Sequence, residues 1–356
     1  MERVELRKSS ATIQNETGTR DNQDPPSCSV NNTELRVKLA SSQASNSKIS
    51  TLTMTKTQLK GIIAPLVTAF QQDRSVDFDR SIAHAHWLVE HGCDGLAVFG
   101  TTSEANSLSL LERKRLLEAI VNSGISPARL LVGNGSCAVP DAVELAKHAL
   151  QIGCGNVLML PPFYYKSVSV EGLFDFFAEF IDRAGDPRLQ VYLYHIPPVA
   201  QVGFPFALIE KLRSRFSNVI AGIKDSSGDF ENTRRLIAEF SDFQVFPGSE
   251  AFLLAALRLG ATGCISATAN VNAESMQQLF QNWHTAEADE MQSTLNCVRQ
   301  TFQRYPMIAA LKAVLSIANN DENWRTVRAP LSQLSDADTQ ILLRDLEGLA
   351  FKLPRL

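Results

Sequence analysis

The chain has 356 residues, of which 44% are hydrophobic and 20% are charged, so it is long enough for one large domain or two smaller ones. Its formal net charge of -4 gives no basic face for nucleic acid, and no apolar run reaches the roughly 18 to 20 residues that a membrane-spanning helix needs. The six cysteines are scattered without a CxxC pair, which disfavours a disulfide framework or a zinc site and indicates a reducing, cytoplasmic setting.

The first 58 residues differ in composition from the rest of the chain. They are rich in Ser, Thr, Asn and Gln, they lack aromatic residues, and they show no sustained hydrophobic period. Such a segment cannot bury enough apolar surface to offset the entropy lost on ordering. We therefore predict that residues 1 to 58 form a disordered extension. Acidic residues such as Glu2, Glu5 and Asp21 argue against an organelle transit peptide.

From Gly61 onward, short apolar runs alternate with longer segments of helical period. Eight runs of this kind occur: 61 to 70, 95 to 100, 129 to 135, 156 to 162, 189 to 197, 219 to 226, 243 to 249 and 263 to 270. Nearly continuous apolar runs of this length are typical of strands that are buried on both faces, as parallel sheets require.

The segments between the runs are predicted to be helices. After the fourth run, apolar residues recur at the three- and four-residue spacing that lines one helix face. These residues are Val170, Leu173, Phe174, Phe177 and Ile181. Asp229 is placed to cap the helix after the sixth run, and Gly260 suits the end of the helix after the seventh.

Eight strands alternating with eight helices predict a closed (β/α)8 TIM barrel, which we place at residues 59 to 285. Residues 286 to 356 are predicted to form additional C-terminal helices packed on the barrel. A doubly wound open sheet is the alternative fold, but the chain lacks the glycine fingerprint expected of that fold.

Lys224 is the first candidate for chemistry, because the active site of such a barrel lies at the C-terminal ends of its strands. In the run 219 to 226 it alternates with Ile220 and Gly222, so all three are predicted to face the barrel interior, whereas Ile223 and Asp225 face outward. Burial disfavours a charged amine, and an uncharged amine is a nucleophile able to form a Schiff base with a carbonyl. The alternative is a structural lysine paired with a carboxylate.

Polar residues at two other strand ends could act with this lysine. Tyr194 ends the fifth run, next to the strand of Lys224, where its phenol could carry protons; an apolar setting also suits a tyrosine that only fills the core. Thr101 and Thr102 follow the second run and offer hydroxyl and backbone N–H donors to a carboxylate, although such a pair also suits a helix cap.

The strand ends together resemble the family of dihydrodipicolinate synthase and N-acetylneuraminate lyase. The stretches that carry the resemblance are "GTTSEANSLSLLER" (100 to 113), "LPPFYYKSVSVEGL" (160 to 173), "YHIP" (194 to 197), "GIKDSSGD" (222 to 229) and "GCISATANV" (263 to 271). They occur in the right order and at spacings consistent with a barrel, within a region from about residue 60 to about residue 320.

The resemblance implies a class I, Schiff-base-forming lyase or aldolase with no metal or organic cofactor. In this family a lysine condenses with the keto group of pyruvate or another 2-oxo acid. Lys224 matches that lysine, and Tyr194 matches the tyrosine that shuttles protons. Thr101 matches the hydroxyl that relays protons between two tyrosines, and Thr102 matches the residue that holds the 2-oxo acid carboxylate.

Two further matches bear on assembly and on the pocket. Tyr165 matches the second tyrosine, which in dihydrodipicolinate synthases reaches across from a neighbouring subunit, so the resemblance implies a homodimer within a homotetramer. Ile265 matches a residue that lines the barrel near the imine and helps to seat the substrate.

The sequence departs from the family pattern where the aldehyde would bind. Dihydrodipicolinate synthases carry an arginine at the position of Val199, and a valine cannot hold an anion, which favours a neutral or polyhydroxy aldehyde as in sialic acid lyases. Those lyases grip sugar hydroxyls with an acidic pair, of which Glu250 is present and Ser249 replaces the other member. Ser103 also stands where the family usually has glycine.

We therefore predict an enzyme that makes or breaks a carbon–carbon bond between pyruvate and an aldehyde, with a 2-oxo acid or deoxy sugar acid as substrate. The alternatives are 4-hydroxy-tetrahydrodipicolinate synthase, which condenses pyruvate with aspartate semialdehyde, and a dehydratase of a keto-deoxy sugar acid. A third alternative, from another class, is a non-catalytic barrel that binds a metabolite. The expected partners are small molecules and further copies of the chain.

Overall fold

The computed structural model describes residues 58–356. The predicted disordered extension, apart from residue 58, lies outside the described residues. Within them, no helix is both long enough and apolar enough to cross a lipid bilayer.

Eight parallel strands form the centre of the fold, and each falls inside one of the eight predicted runs. They are β1 (Gly61–Ala64), β2 (Gly95–Val98), β3 (Leu130–Gly133), β4 (Asn156–Met159), β5 (Gln190–His195), β6 (Ile220–Asp225), β7 (Gln244–Pro247) and β8 (Gly263–Ile265). Neighbours follow chain order from β1 to β7, and β8 pairs with β1. Thr262 N donates to Val245 O at 3.0 Å beside β8 and β7. The predicted (β/α)8 barrel is confirmed.

Helices follow every strand and continue beyond the barrel. They are α1 (Phe78–Glu90), α2 (Leu110–Asn122), α3 (Val139–Gln151), α4 (Val170–Ala184), α5 (Pro197–Ala200), α6 (Phe206–Arg215), α7 (Phe230–Glu239), α8 (Leu253–Arg258), α9 (Ala269–Asn282), α10 (Ala288–Gln303), α11 (Met307–Asn319) and α12 (Asp336–Gly348). The last three are the predicted C-terminal helices. The single turn α5 was not predicted; its prolines lie at the first helical positions, where no backbone N–H is needed.

Side-chain caps explain where several of these helices begin. The Asp229 carboxylate accepts a hydrogen bond from Glu231 N, as predicted for the start of α7. Ser109 and Glu112 form a reciprocal capping box at α2, and Ser169 accepts from Gly172 N at α4. Each cap fixes the point at which the chain turns away from the open end of the barrel.

The hydrophobic core has an inner and an outer part, separated by the barrel wall. The inner cluster fills the barrel and includes Ile63, Ala97, Leu131, Leu158, Tyr192, Phe246 and Ile265. Larger clusters lie between the strands and the surrounding helices. The barrel is therefore a packed core rather than a pore, and polar side chains have room only at its ends.

The pairing between β5 and β6 shifts by one residue. Val191 pairs with Ile220, but Tyr192 pairs with Gly222, so Ala221 is the extra residue. The prediction that Ile220 faces the barrel interior was wrong, because a one-residue shift reverses which face a side chain occupies. Ile220 instead packs in the cluster outside the barrel. Lys224 lies beyond the shift, so the alternation that places it inside still holds.

Candidate active site

Lys224 and Tyr194 lie side by side at the C-terminal ends of neighbouring strands. Their Cα atoms are direct partners in the ladder between β6 and β5, and both side chains are buried. Lys224 Nζ donates to Tyr194 Oη at 3.3 Å and lies 4.3 Å from the centroid of the tyrosine ring. The amine is thus in contact with a group that can donate or accept a proton.

Thr101 extends this contact into a line of three side chains. Its Oγ1 lies 3.2 Å from Tyr194 Oη, and either oxygen can be the donor. Hydroxyl groups that are both donors and acceptors can pass a proton along such a line. The strand ends of β2, β5 and β6 therefore bring an amine, a phenol and a hydroxyl together.

Ser103 holds the loop that carries Thr101 and Thr102. Its side chain is buried; Oγ donates to Leu66 O at 2.5 Å, and its carbonyl accepts from Thr68 Oγ1 at 2.8 Å. A glycine could make only the second of these bonds, so this departure from the family pattern adds a tether between the loop and the segment after β1.

The same loop passes very close to β3. A Cβ atom on Gly133 would lie 1.9 Å from the carbonyl oxygen of Phe99, where no side chain fits. Phe99 itself has a φ of 60° and Glu104 a φ of 55°, so the loop enters and leaves through left-handed backbone conformations. The absence of a side chain at Gly133 is what lets the loop turn towards the barrel axis.

His195 and Asp225 follow the reacting side chains along β5 and β6 but face away from the lumen. His195 Nδ1 accepts a hydrogen bond from Phe204 N at 3.0 Å, and burial lowers the pKa of this imidazole although Asp225 opposes the shift. The Asp225 carboxylate accepts from Asn232 Nδ2 at 3.0 Å and from Thr233 Oγ1 at 2.7 Å. Both residues anchor the strand ends to the surrounding structure.

A cavity of about 910 Å³ opens over these strand ends. Its lining contains six of the eight predicted site residues, namely Thr101, Thr102, Tyr194, Val199, Lys224 and Ile265. Val199 lines this cavity and is 62% exposed. The cavity is large enough for a small organic substrate of several carbon atoms.

Glu250 is a predicted site residue that the structure places behind the cavity wall. Its side chain has no solvent exposure, and its carboxylate accepts hydrogen bonds from the hydroxyls of Ser266 and Thr268. Arg299 Nη1 approaches the same carboxylate at 3.4 Å. Glu250 therefore contacts neighbouring protein groups in this structure rather than the cavity.

Tyr165 is the other predicted residue that lies apart from the reacting groups. It is 72% exposed, and its ring packs edge-on against Tyr164, with centroids 5.2 Å apart. Tyr164 and Tyr165 therefore both lie on the surface of the chain, where neither side chain contacts the reacting groups.

The C-terminal helices contribute cavity residues that the strand-end motifs did not reveal. Arg299 and Gln303 stand one turn apart on α10, and Ser332 and Gln333 lie on the segment before α12. In the sequence these polar residues have no distinguishing motif; the only signal is that Arg299 and Gln303 share one helix face. Within residues 58–356, no group of three or more His, Cys, Asp and Glu side chains is arranged to hold a metal ion.

Comparison with known proteins places the chain in one family. The sequence model described as the dihydrodipicolinate synthetase family matches residues 58–348. An uncharacterized DapA-like lyase of Chloroflexus aurantiacus is 31% identical over 286 residues, covering 80% of this chain and 94% of the relative. A 4-hydroxy-tetrahydrodipicolinate synthase of Bacillus subtilis is 30% identical over 275 residues, covering 76% and 92% of the two chains.

Solved structures agree with the sequence comparison. The dihydrodipicolinate synthase of Agrobacterium tumefaciens is 31% identical, with a TM-score of 0.76 over 82% of this chain and 99% of that one. YagE of Escherichia coli K12, a member of the dihydrodipicolinic acid synthase family solved in complex with pyruvate, is 27% identical with a TM-score of 0.75 and the same coverage.

Proposed function

This chain belongs to the dihydrodipicolinate synthetase family, and from that premise we propose that it is a pyruvate-dependent lyase or aldolase that reacts through an imine at Lys224. The observation that carries the proposal is the line from Lys224 Nζ through Tyr194 Oη to Thr101 Oγ1, with steps of 3.3 Å and 3.2 Å. A buried amine in contact with a proton-carrying pair is what imine formation requires. The proposal is supported by YagE, whose structure contains pyruvate.

The chemistry follows from the electron demand of the imine. The Lys224 amine attacks the keto carbon of pyruvate and water leaves, which gives an iminium that draws electrons from the adjacent methyl carbon. Loss of a proton from that carbon gives an enamine, which attacks the carbonyl carbon of an aldehyde to form the new bond. Tyr194 and Thr101 move the protons, while Thr102 orients the pyruvate carboxylate. Run in reverse, the steps cleave a longer 2-oxo acid.

Borohydride reduction in the presence of pyruvate tests the imine directly. We expect a covalent adduct on the Lys224 peptide, detected by mass spectrometry. The Lys224→Arg variant keeps a cation of similar length and should give no adduct at any lysine. If the wild-type chain gave no pyruvate-dependent adduct, the proposed mechanism would be wrong. The absence of an adduct is also the result expected of a non-catalytic barrel.

Val199 is the basis for the substrate class. At the cavity wall it cannot form an ion pair with a carboxylate, so the β5 side of the pocket suits an uncharged or hydroxylated part of the substrate. We therefore propose a 2-oxo acid or deoxy sugar acid substrate. A screen of such acids for pyruvate release identifies it.

A second candidate is 4-hydroxy-tetrahydrodipicolinate synthase, which is the printed name of the Bacillus subtilis relative. Condensation of pyruvate with aspartate semialdehyde at a higher rate than with uncharged aldehydes would favour this candidate over the first. A keto-deoxy sugar acid dehydratase uses the same imine and is distinguished by loss of water from its substrate without release of pyruvate.

Tyr165 supports a proposal about assembly. We infer that the subunits form a homodimer within a homotetramer and that Tyr165 completes the proton relay of a neighbouring subunit, which its 72% exposure permits. Mixing Tyr165→Phe subunits with Lys224→Arg subunits tests this, because a mixed dimer then contains one complete site. Recovery of activity on mixing is expected, whereas no recovery would place Tyr165 outside its neighbour's site.

A further inference from the structure

A separate cavity lies beside α10, away from the one that contains Lys224. It has a volume of about 480 Å³ and is formed by α1, α9, α10 and the segment that follows α12. Val298 of α10 lines this cavity, whereas the next residue, Arg299, lines the cavity at the strand ends. The two cavities share no lining residue, so a ligand in the separate cavity would occupy a site of its own.

The helix α9 is kinked where it borders this cavity. Asn272 has a φ of -138° and a ψ of 34°, which is not helical, and a second part of α9 begins at Ala273 and continues to Asn282. The first N–H groups of a helix lack partners in a preceding turn and give that end a partial positive charge. Ala273, Glu274 and Ser275 begin the second part, and all three line the cavity. The start of this helical part therefore borders the cavity.

The side chain of Asn272 is a second and independent sign of a ligand. Asn272 lines the cavity and is only 8% exposed, yet its amide has no hydrogen-bond partner among the residues that the structure describes. Asparagine commonly caps a helix, but here it makes no bond to the helical part that follows it. A buried amide without a partner is costly, and a ligand that bonds to it offsets that cost.

Two cations line the same cavity from the segment after α12. Lys352 and Arg355 have no ion-pair or hydrogen-bond partner in the described part of the chain. The segment itself is held on both sides of them: the Phe351 ring packs edge-on against α10, and Leu356 N donates to Asn319 Oδ1 at 2.7 Å. The two charges are therefore kept beside the start of the second part of α9.

The remaining lining includes a large apolar surface. The side chains that form it are Trp87, Val271, Val298 and Leu353. A free phosphate or sulfate ion would fill only a small part of 480 Å³ and would leave this surface against water. The ligand that fits the cavity therefore has an organic body as well as an anionic group.

We propose that this cavity binds a phosphorylated small molecule. Its phosphate group lies at the start of the second part of α9, with Asn272, Lys352 and Arg355 as its side-chain partners, and its organic body packs on the apolar lining. A phosphate monoester carries a charge of about -1.5 to -2 at pH 7 and has several acceptor oxygens, so it can bond to N–H groups, an amide and two cations together. The site is independent of the proposed function.

Glu274 is the one acid in the lining, as far as the described residues show. Its side chain is 58% exposed and its Oε1 lies 3.9 Å from His91 Nε2, so water and the imidazole screen its charge. Glu274→Gln removes the repulsion between this carboxylate and the bound phosphate. It should therefore strengthen binding by up to about fivefold, the range for one exposed charge.

Calorimetric titration of the full chain with four probes tests the ligand class. Phenyl phosphate has both the anion and an apolar body, inorganic phosphate lacks the body, phenol lacks the anion, and benzoate has a carboxylate with a single charge. We expect phenyl phosphate to bind more tightly than each of the other three. Equal affinity for benzoate would overturn the assignment to phosphate, and no binding of phenyl phosphate at millimolar concentration would overturn the site.

Three variants place the binding in this cavity. Asn272→Leu keeps the volume but loses the amide and should weaken phenyl phosphate by roughly 10- to 150-fold, the range for a hydrogen bond to a charged group. Lys352→Gln and Arg355→Gln should each weaken it by up to about fivefold and reduce its salt dependence. Both residues are exposed, so these two variants decide the question if Asn272→Leu does not fold.

Arg344→Gln and Lys224→Arg are the controls. Arg344 lies on α12 and is 74% exposed outside the cavity, so its loss changes the net charge equally and should leave the affinity unchanged. Lys224→Arg should bind phenyl phosphate as the wild type does. If Lys224→Arg lost the binding, or if the three cavity variants bound as tightly as the wild type, the phosphate would occupy another place and the inference would be wrong.

Discussion

The Lys312 ammonium group donates a hydrogen bond to the Glu104 carboxylate, and neither side chain has any solvent exposure. Lys312 also donates to Thr326 O at 2.8 Å, and Glu104 accepts from Arg328 N at 2.8 Å. Glu104 ends the loop that carries Thr101. This buried pair therefore ties α11 and the segment that follows it to the loop at the mouth of the barrel.

Removing one member of the pair should be far more damaging than removing both. Lys312→Met leaves the Glu104 carboxylate buried without its cation and is expected to lower the free energy of unfolding by about 3 to 5 kcal/mol. Lys312→Met combined with Glu104→Gln should recover part of this loss. Chemical denaturation measures both. Arg258→Met, which breaks an exposed pair with Asp289, is the control and should change stability little.

Burial lowers the pKa of Lys312 to about 8 although Glu104 opposes the shift, so the amine is still mostly charged at neutral pH. If the single variant were as stable as the wild type, the pair would not be what holds the C-terminal helices to the loop.

Tyr194→Phe should separate imine formation from proton transfer. The substitution removes the phenol between Lys224 Nζ and Thr101 Oγ1 but leaves the amine, so trapping with pyruvate should persist. We expect kcat to fall by about 10²- to 10⁴-fold, the usual contribution of a general acid–base group. Single-turnover kinetics would place the loss in the proton-transfer step.

Tyr192→Phe is the matched control for that variant. Tyr192 lies on the same strand, also inside the barrel, and its hydroxyl donates to Gln244 Oε1 at 2.5 Å. Its loss should cost about 1 to 3 kcal/mol of stability, because the Gln244 oxygen is left without its buried donor, and should leave kcat largely intact. Equal losses of kcat in the two variants would mean that packing rather than proton transfer explains the effect of Tyr194.

The sequence predicts those parts of this molecule that depend on neighbouring residues along the chain. The eight strands were found because burial on both faces leaves continuous apolar runs, and the inward direction of Lys224 follows from strand alternation. Ile220 was misplaced because a register shift depends on the pairing of two strands, which alternation within one strand does not contain. Arg299 was missed because it reaches the cavity from α10, far along the chain from the strand ends.

Sequence patterns also did not predict contacts between side chains that are far apart along the chain. Glu250 was recognised as an acid in the right region, but whether it faces the cavity depends on Ser266, Thr268 and Arg299, which surround it only in the folded chain.

His84 should make stability depend on pH. It is fully buried in α1, where its Nε2 contacts Asn270 Oδ1 at 3.1 Å, and burial lowers its pKa to about 4. In the unfolded chain the pKa is about 6.5, so between these values the unfolded state binds the proton and the folded state does not. Stability is therefore complete above about pH 6.5 and falls as the pH decreases towards 4.

The size of this effect is about 2 kcal/mol between pH 7 and pH 5, measured by urea unfolding at the two values. His84→Gln should be less stable at pH 7 but should lack this component of the pH dependence. His86→Gln, on the same helix, is the control and should retain it. An unchanged pH dependence in His84→Gln would assign the acid sensitivity to other groups.

Val199→Arg should add a second anion-binding group on the β5 side of the cavity. Val199 is 62% exposed and lines the cavity, so a longer side chain can enter it without displacing the core. We expect kcat/KM for condensation of pyruvate with aspartate semialdehyde to rise by about tenfold or more, as one new charged hydrogen bond allows. Val199→Gln, of similar length without the charge, should give a smaller rise and so separates charge from size. Should the arginine bring no gain, the side chain at position 199 would not contact the acid group of the aldehyde.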